Sequence, residues 1–292
     1  MAILVNEATR VLVQGITGKV GSFQVAVLQE YGTRVMAGVT PGKGGTAVHG
    51  IPVYDFVEDA VADGSVDVAL SFVPARFAKD ASIEAIENGI PLLVLTTAGI
   101  PEHDLLAILG RAAGRGTRVL GPDTPGLVSP GACKVGVHPN RVLRKGWIGV
   151  VSKSGALSYE VCRLLSERGF GQSTVVGIGG GPLWGTSQSD VIAMFEQDPQ
   201  TRAIVLLGEV GGTMEHEAAA LIHREVTKPV VAMIVGRSAP PGAQMGHAGA
   251  LIAGEGETAE RKLAALREAG CYLARSPVEI LSSIEKLGGQ FS

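Results

Sequence analysis

At 292 residues the chain is longer than one ordinary domain and predicts two. Hydrophobic residues make up 46% and charged residues 18%, enough for well-buried cores. A net charge of −3 and only 4% aromatics remove the electrostatic and stacking grounds for nucleic acid or an acidic membrane as partner.

The N-terminus, Met1-Ala-Ile-Leu-Val-Asn, has no basic stretch leading into a long apolar core, so no signal peptide is expected. Val11-Leu-Val reads as a first strand, Val20 to Tyr31 as a helix and Arg34 to Val39 as a second strand. Strands at Asp67 to Phe72, Pro91 to Leu95 and Arg118 to Leu120 alternate with helices from about Phe77 to Asn88 and Pro101 to Arg115. This alternation predicts βαβ units around a parallel sheet, and the nearly continuous apolar strands predict a sheet covered on both faces. Gly121 to Gly146, with Pro122, Pro125, Pro130 and Pro139, breaks the rhythm and reads as the connection between domains. A second series follows. Ile148-Gly-Val-Val-Ser is a strand, and Leu157, Val161, Leu164 and Leu165 share one helical face. Strands at Thr174 to Ile178, Ala203 to Leu207 and Pro229 to Val235 precede helices at Glu257 to Ala269 and Pro277 to Leu287.

The expected organisation is a Rossmann-like α/β domain over 1–121, a connection over 122–146 and a flavodoxin-like, doubly wound domain over 147–292. Ligands are expected at the carboxyl ends of the strands. Apolar runs are strand length, and none approaches a membrane span. Cys133, Cys162 and Cys271 are odd in number and widely spaced, which fits neither a disulfide framework nor a zinc cluster. A reducing, cytoplasmic setting is expected, and no metal on this chain.

After the first strand comes Gln14-Gly15-Ile-Thr17-Gly18-Lys19-Val20-Gly21, a Gly-x-x-Gly-x-x-Gly turn entering a helix, whose exposed amides favour a phosphate. Tight βα turns need glycine in any case, so the loop alone is a weak signal. The second strand ends in Val39-Thr40-Pro41-Gly42-Lys43-Gly44-Gly45, with a lysine where a nicotinamide site would carry an acid. Lys43 suits an extra phosphate, as on CoA or NADP, or is a solvated turn residue.

Gln244-Met245-Gly246-His247-Ala248-Gly249-Ala250 sets a histidine among small residues, following the loop Ser238-Ala-Pro-Pro-Gly. Such an imidazole is accessible and nucleophilic near neutral pH. A structural or metal-binding histidine is the alternative, with no second histidine or cysteine close in sequence. Ser152-Lys153-Ser154-Gly155-Ala156 joins a strand to a helix and could cradle phosphoryl oxygens, or Ser154 could simply cap the helix. Gly208-Glu209-Val-Gly211-Gly212 puts a carboxylate at a strand tip, where it could orient an imidazole or remain solvated.

Thr40-Pro-Gly-Lys43-Gly-Gly, Ser154-Gly155, Val176-Gly-Ile-Gly-Gly, Gly208-Glu209-Val-Gly-Gly and Met245-Gly-His247-Ala-Gly-Ala occur in the order found in the alpha subunit of succinyl-CoA synthetase. The chain resembles that family over nearly its whole length. The resemblance implies CoA bound by Thr17, Gly18, Lys19, Val20, Lys43, Thr96, Thr97 and Ala98. It implies His247 as the phosphorylated residue, paired with Glu209. Ser154, Gly155, Tyr159, Asp123 and Thr124 fall at phosphate, substrate or subunit-contact positions. ATP or GTP with Mg would sit on an ATP-grasp beta subunit, in a heterodimer or heterotetramer. The implied reaction passes a phosphoryl group from nucleotide to His247, then to a carboxylic acid, whose acyl phosphate CoA attacks.

Gly121-Pro-Asp123-Thr124-Pro-Gly stands where the family commonly reads Gly-Pro-Asn-Cys-Pro-Gly. Gly181 and Trp184 depart from the family's Gly-Gly-Asp-Pro-Ile-Pro-Gly-Thr, and Ala98, Ala243 and Gln244 replace charged residues. These changes raise malate, citrate or another acid as alternatives to succinate. An NADP-dependent oxidoreductase and a non-catalytic CoA-binding protein are more distant readings.

Overall fold

The structure is a computed structural model and describes residues 3–240, 242 and 244–289. Pro241 and Ala243, both singled out in the sequence before His247, lie outside the described residues.

The first half runs β1 (Arg10–Gln14), α1 (Lys19–Tyr31), β2 (Arg34–Val39), β3 (Ala47–Val48), β4 (Ile51–Tyr54), α2 (Val57–Asp63), β5 (Val68–Ser71), α3 (Ala75–Glu87), β6 (Leu92–Leu95), α4 (Glu102–Arg115) and β7 (Arg118–Leu120). The sheet order is β3-β4-β2-β1-β5-β6-β7, parallel except at the β3 edge. Omitting β3, this is the dinucleotide-fold order, with its reversal between β1 and β5. β5 and β6 are buried at every position, as a sheet covered by helices on both faces requires. Gly32 and Gly116 end α1 and α4 with φ of 91° and 74°, left-handed caps that glycine adopts without a Cβ clash.

The second half runs β8 (Gly126–Ser129), β9 (Cys133–Gly136), β10 (Lys145–Ser152), α5 (Gly155–Glu167), β11 (Gln172–Gly177), α6 (Gln188–Gln197), β12 (Ala203–Glu209), α7 (Met214–Glu225), β13 (Val230–Val235), α8 (Ala259–Glu268), β14 (Tyr272–Leu273) and α9 (Pro277–Gly288). Its order is β14-β13-β12-β10-β11-β8-β9. The five strands from β14 to β11 are parallel in flavodoxin-like order, reversing between β10 and β12.

The proline-rich segment read as a connection holds the hairpin β8–β9, which extends the second sheet antiparallel to β11. Its prolines flank the strands rather than interrupt them, since a proline cannot donate to a ladder. Helices α6 and α7 are absent from the pattern expected of the sequence, yet parallel neighbours β11, β12 and β13 require crossovers of that size. α6 also carries a local start signal, the Ser187–Asp190 capping box.

The halves share a core. Val11, Val25 and Leu28 belong to one buried cluster with Leu127, Val135 and Val151. Thr33 Oγ1 donates to the Lys134 carbonyl at 2.7 Å, and Thr186 Oγ1 to the Val119 carbonyl at 2.6 Å. Among the described residues no helix is long and apolar enough to cross a membrane. All three cysteines are buried thiols.

Candidate active site

Glu209 ends β12 beside the reversal in the second sheet, the place where such sheets leave a crevice. His247 comes to it from a tight loop, in which the Met245 amide donates to the Ala250 carbonyl and the Ala250 amide to that of His247. His247 Nδ1 lies 2.7 Å from Glu209 Oε2. Glu209 is 4% exposed, whereas the imidazole keeps 30% of its side-chain surface open. With Nδ1–H given to the carboxylate, Nε2 is the ring's free lone pair.

Glycines make this approach possible. A Cβ on Gly180 would stand 2.4 Å from His247 Cγ, so the ring lies directly on that backbone. A Cβ on Gly211, where φ is +87°, would meet the Gly249 carbonyl at 2.3 Å. The Gly249 amide donates to the Gly180 carbonyl at 3.1 Å, tying the histidine loop to the end of β11.

The Glu209 hydrogen bond raises the His247 imidazole above its ordinary range; burial works against it, and Asp123 adds to the rise while Lys153 opposes it. Asp123 therefore faces the pair. It adopts a left-handed φ of 56°, which aspartate tolerates better than most residues. Burial pushes its carboxyl up; His247 draws it down and Glu209 pushes it further up. Asp123 therefore feels opposite pulls from the two members of the pair.

Ser154 caps α5, accepting from the Leu157 amide at 3.3 Å. Gly155, half-buried, follows as the first helical residue. Tyr159 is half-buried, edge-on to His138 at 5.4 Å between centroids. Thr124 is buried at 3% exposure, and its hydroxyl bonds the Gly177 carbonyl and the Gly126 amide, which uses its donor within the fold.

The other edge is built differently. α1 starts at Gly18 with no side-chain cap and no acid in its first turn, leaving its amides open to an anion. Gly15 lies against the Phe72 backbone, 3.3 Å from where a Cβ would stand. Gly18, Lys19, Val20 and Lys43 are exposed and Thr17 is half-buried. An apolar cleft of about 600 Å³ opens beside them at the β1–β5 reversal, lined by Gly15, Thr40, Pro41, Phe56, Pro74 and Phe77 among others. Thr96 and Thr97 donate their hydroxyls to the Ser71 and Val73 carbonyls at 2.7 and 2.6 Å, so each can only accept from a ligand. Ala98 is exposed beyond them. The Asp123 amide donates to the Thr97 carbonyl at 3.1 Å, which joins this edge to the histidine site.

Beneath the pair lies a group that the sequence reading missed. Lys153, Glu215 and Lys262 are buried together, with Lys153 Nζ 3.0 Å and Lys262 Nζ 2.5 Å from the Glu215 carboxylate. Lys262 also donates to the Glu209 and Gly211 carbonyls at 2.8 and 2.6 Å, and the Glu209 amide donates to Glu215 Oε1 at 3.2 Å. Burial pushes the Glu215 carboxyl up, but the two lysines outweigh it and hold it below its usual range. Among the described residues no group of His, Cys, Asp and Glu could hold a metal ion.

A helix start with open amides thus lies at the edge of one sheet and a histidine–carboxylate pair at the edge of the next. Residues 6–99 match the CoA binding domain family and residues 151–272 the CoA-ligase family. The chain is 52% identical over 287 residues to a succinate–CoA ligase [ADP-forming] subunit alpha of Archaeoglobus fulgidus, covering 98% of each. It is 50% identical to the subunit alpha of Aquifex aeolicus, covering 98% of this chain and 95% of that one. It therefore belongs to the succinate–CoA ligase alpha subunit family, a family of CoA ligases. A solved ATP citrate lyase of Methanosaeta concilii with bound (3S)-citryl-CoA superposes with a TM-score of 0.89 at 27% identity. That match covers 98% of this chain, which spans about half, 51%, of the citrate lyase chain.

Proposed function

We propose that this chain is the alpha subunit of a nucleotide-driven succinate–CoA ligase in which His247 carries the phosphoryl group. One observation bears most of the weight: His247 Nδ1 bonds Glu209 at 2.7 Å, which leaves Nε2 free at the strand ends. Nε2 attacks the γ-phosphorus of ATP or GTP, the bond to the leaving nucleoside diphosphate breaks, and the ring becomes a phosphoimidazolium. Glu209 stabilises that positive ring through Nδ1–H, as a triad acid does. A carboxylate oxygen of the acid then takes the phosphorus, and Nε2 leaves with its electron pair. The CoA thiolate attacks the acyl carbon and expels phosphate. Splitting the displacement into such steps is what covalent catalysis achieves.

CoA fits the first edge. Its pyrophosphate suits the uncapped start of α1, its adenine the apolar cleft, and Lys43 its 3′-phosphate. The nucleotide and Mg belong to an ATP-grasp beta subunit, so the isolated chain is inactive. Succinate is the favoured acid, given the two relatives above 49% identity. The cytoplasm is its proposed location.

The test is co-expression with a beta-type subunit, followed by labelled ATP and a panel of acids with and without CoA. Acid-labile, alkali-stable label on His247 is expected, discharged by succinate and CoA together and absent in His247→Ala. Because phosphorylation needs the neutral ring, its rate should rise with pH through a midpoint above that of an ordinary histidine. Label retained by His247→Ala would end the reading.

A further inference from the structure

The buried charges beneath the pair are unequal in a way the folding of the chain alone does not require. Lys262 uses all three of its N–H groups, on Glu215 and on the Glu209 and Gly211 carbonyls. Lys153 does not. It is 1% exposed, pairs with Glu215 at 3.0 Å, and among the described residues has no hydrogen-bond acceptor in line with its N–H groups. Nζ also lies over the face of Trp184, 5.0 Å from the ring centre, a cation–π distance. That indole donates to the Gly179 carbonyl at 2.9 Å, and its Cη2 and Cζ2 lie 3.2 Å from where a Gly249 Cβ would stand. The lysine thus bears on both halves of the site, on Glu209 through Glu215 and on the histidine loop through Trp184.

The geometry points to Lys153 as a positioning residue of the phosphohistidine site. Its under-coordinated ammonium holds the Glu209 and His247 supports in register and balances the charge of an arriving phosphoryl group. A fully buried cation with spare donors is costly unless something nearby uses its charge. The inference rests on His247 being the phosphorylated residue, and it adds an element that such a role does not itself require.

The charged groups facing the imidazole are Glu209 from β12, Asp123 from the loop after β7, and Lys153 from the β10–α5 turn. The two carboxylates favour the imidazolium, whereas Lys153 favours the neutral nucleophile. Removing that cation raises the ring's affinity for a proton. At a fixed pH below the midpoint, less of the ring is then free to attack.

Lys153→Met, Lys153→Gln and Lys153→Arg would be made in the full chain. The His247 ring protons would be followed by NMR against pH, assigned by His247→Asn, and phosphorylation by labelled ATP would be followed in the complex with the beta-type subunit. In the Met and Gln variants the ring midpoint and the acidic limb of the phosphorylation profile should both move to higher pH. The phosphorylation rate at pH 6 should fall about tenfold, the scale for losing a residue that supports a reactive group. Lys153→Arg should restore both. Lys153→Gln keeps a hydrogen-bonding group toward Glu215, so it covers the case in which the Met variant does not fold. A folded neutral variant whose ring midpoint and acidic limb stay in place overturns the role. If the unaltered chain is never phosphorylated, the reading of His247 fails, while the ring titration still decides whether Lys153 acts on it.

Discussion

The two carboxyl edges of this molecule solve opposite problems. At the first sheet the groups are exposed: a bare helix start, a lysine on a glycine turn and an open apolar cleft. At the second they are buried and interlocked, from Glu209 through Glu215 to Lys262 and Lys153. A large, flexible, water-soluble ligand needs a surface that it can reach and leave, and few protein groups need to be held still. The proposed phosphoryl relay needs one imidazole held to within tenths of an ångström, roughly, and low-dielectric surroundings make every misplaced charge expensive. Where a site is rigid, its support is paid for in buried charge; where it is adaptable, it is left to solvent.

That contrast can be broken most sharply at Glu209. Glu209→Gln keeps the size of the side chain but removes the charge that steadies a positive ring. Phosphorylation should slow by at least about 10²-fold, the scale of a lost acid–base partner. CoA affinity, measured by calorimetry on the same variant, should not change. Equal losses in both would mean that the edges are not separate devices.

The next effect is on stability. Lys262→Met leaves Glu215 with Lys153 alone and frees the Glu209 and Gly211 carbonyls. Breaking one member of a buried ion network costs about 3–5 kcal/mol, read from denaturant unfolding. A variant within experimental error of the unaltered protein would show that the network is decorative.

The same contrast governs what the sequence discloses. Strand alternation exposes both sheets, because parallel strands are apolar throughout and need helical crossovers. Lys43, Glu209 and His247 stand out in the sequence because each sits on or near a glycine turn; the structure sets Glu209 against His247 and leaves Lys43 exposed. Lys262 and Glu215 are hidden in plain view. Lys262 shares the buried stripe of α8 with Ala259 and Leu266, and Glu215 that of α7 with Ala218 and Ile222. Opposite charges on the apolar faces of neighbouring helices are the available signal, but a single sequence does not say which faces meet. The hairpin within 122–146 is hidden for a related reason. Its prolines look like a linker, and the strands between them are only four residues each. The pairing of β8 with β11 joins Val128 to Val175 and Leu127 to Val176, partners so far apart in sequence that local composition is silent about them.

The smallest expected effect tests the open edge. Lys43 is exposed on its turn, with its amide bonded to the Thr40 carbonyl and its own carbonyl accepting from Thr46 Oγ1. The backbone is therefore fixed without the side chain, and Lys43→Ala should leave the turn intact. If the ammonium meets the 3′-phosphate, KM for CoA should rise about tenfold, the low end for a charge-assisted hydrogen bond. kcat should hold, because the contact is the same in ground and transition states. Dephospho-CoA separates this from a general loss of positive charge. It lacks the 3′-phosphate, so the unaltered chain and Lys43→Ala should use it equally well. A tenfold rise with dephospho-CoA as well would place the lysine against some other part of the ligand. No rise with either substrate would leave it a solvated turn residue, and the anion-binding character of this edge would then rest on the start of α1 alone.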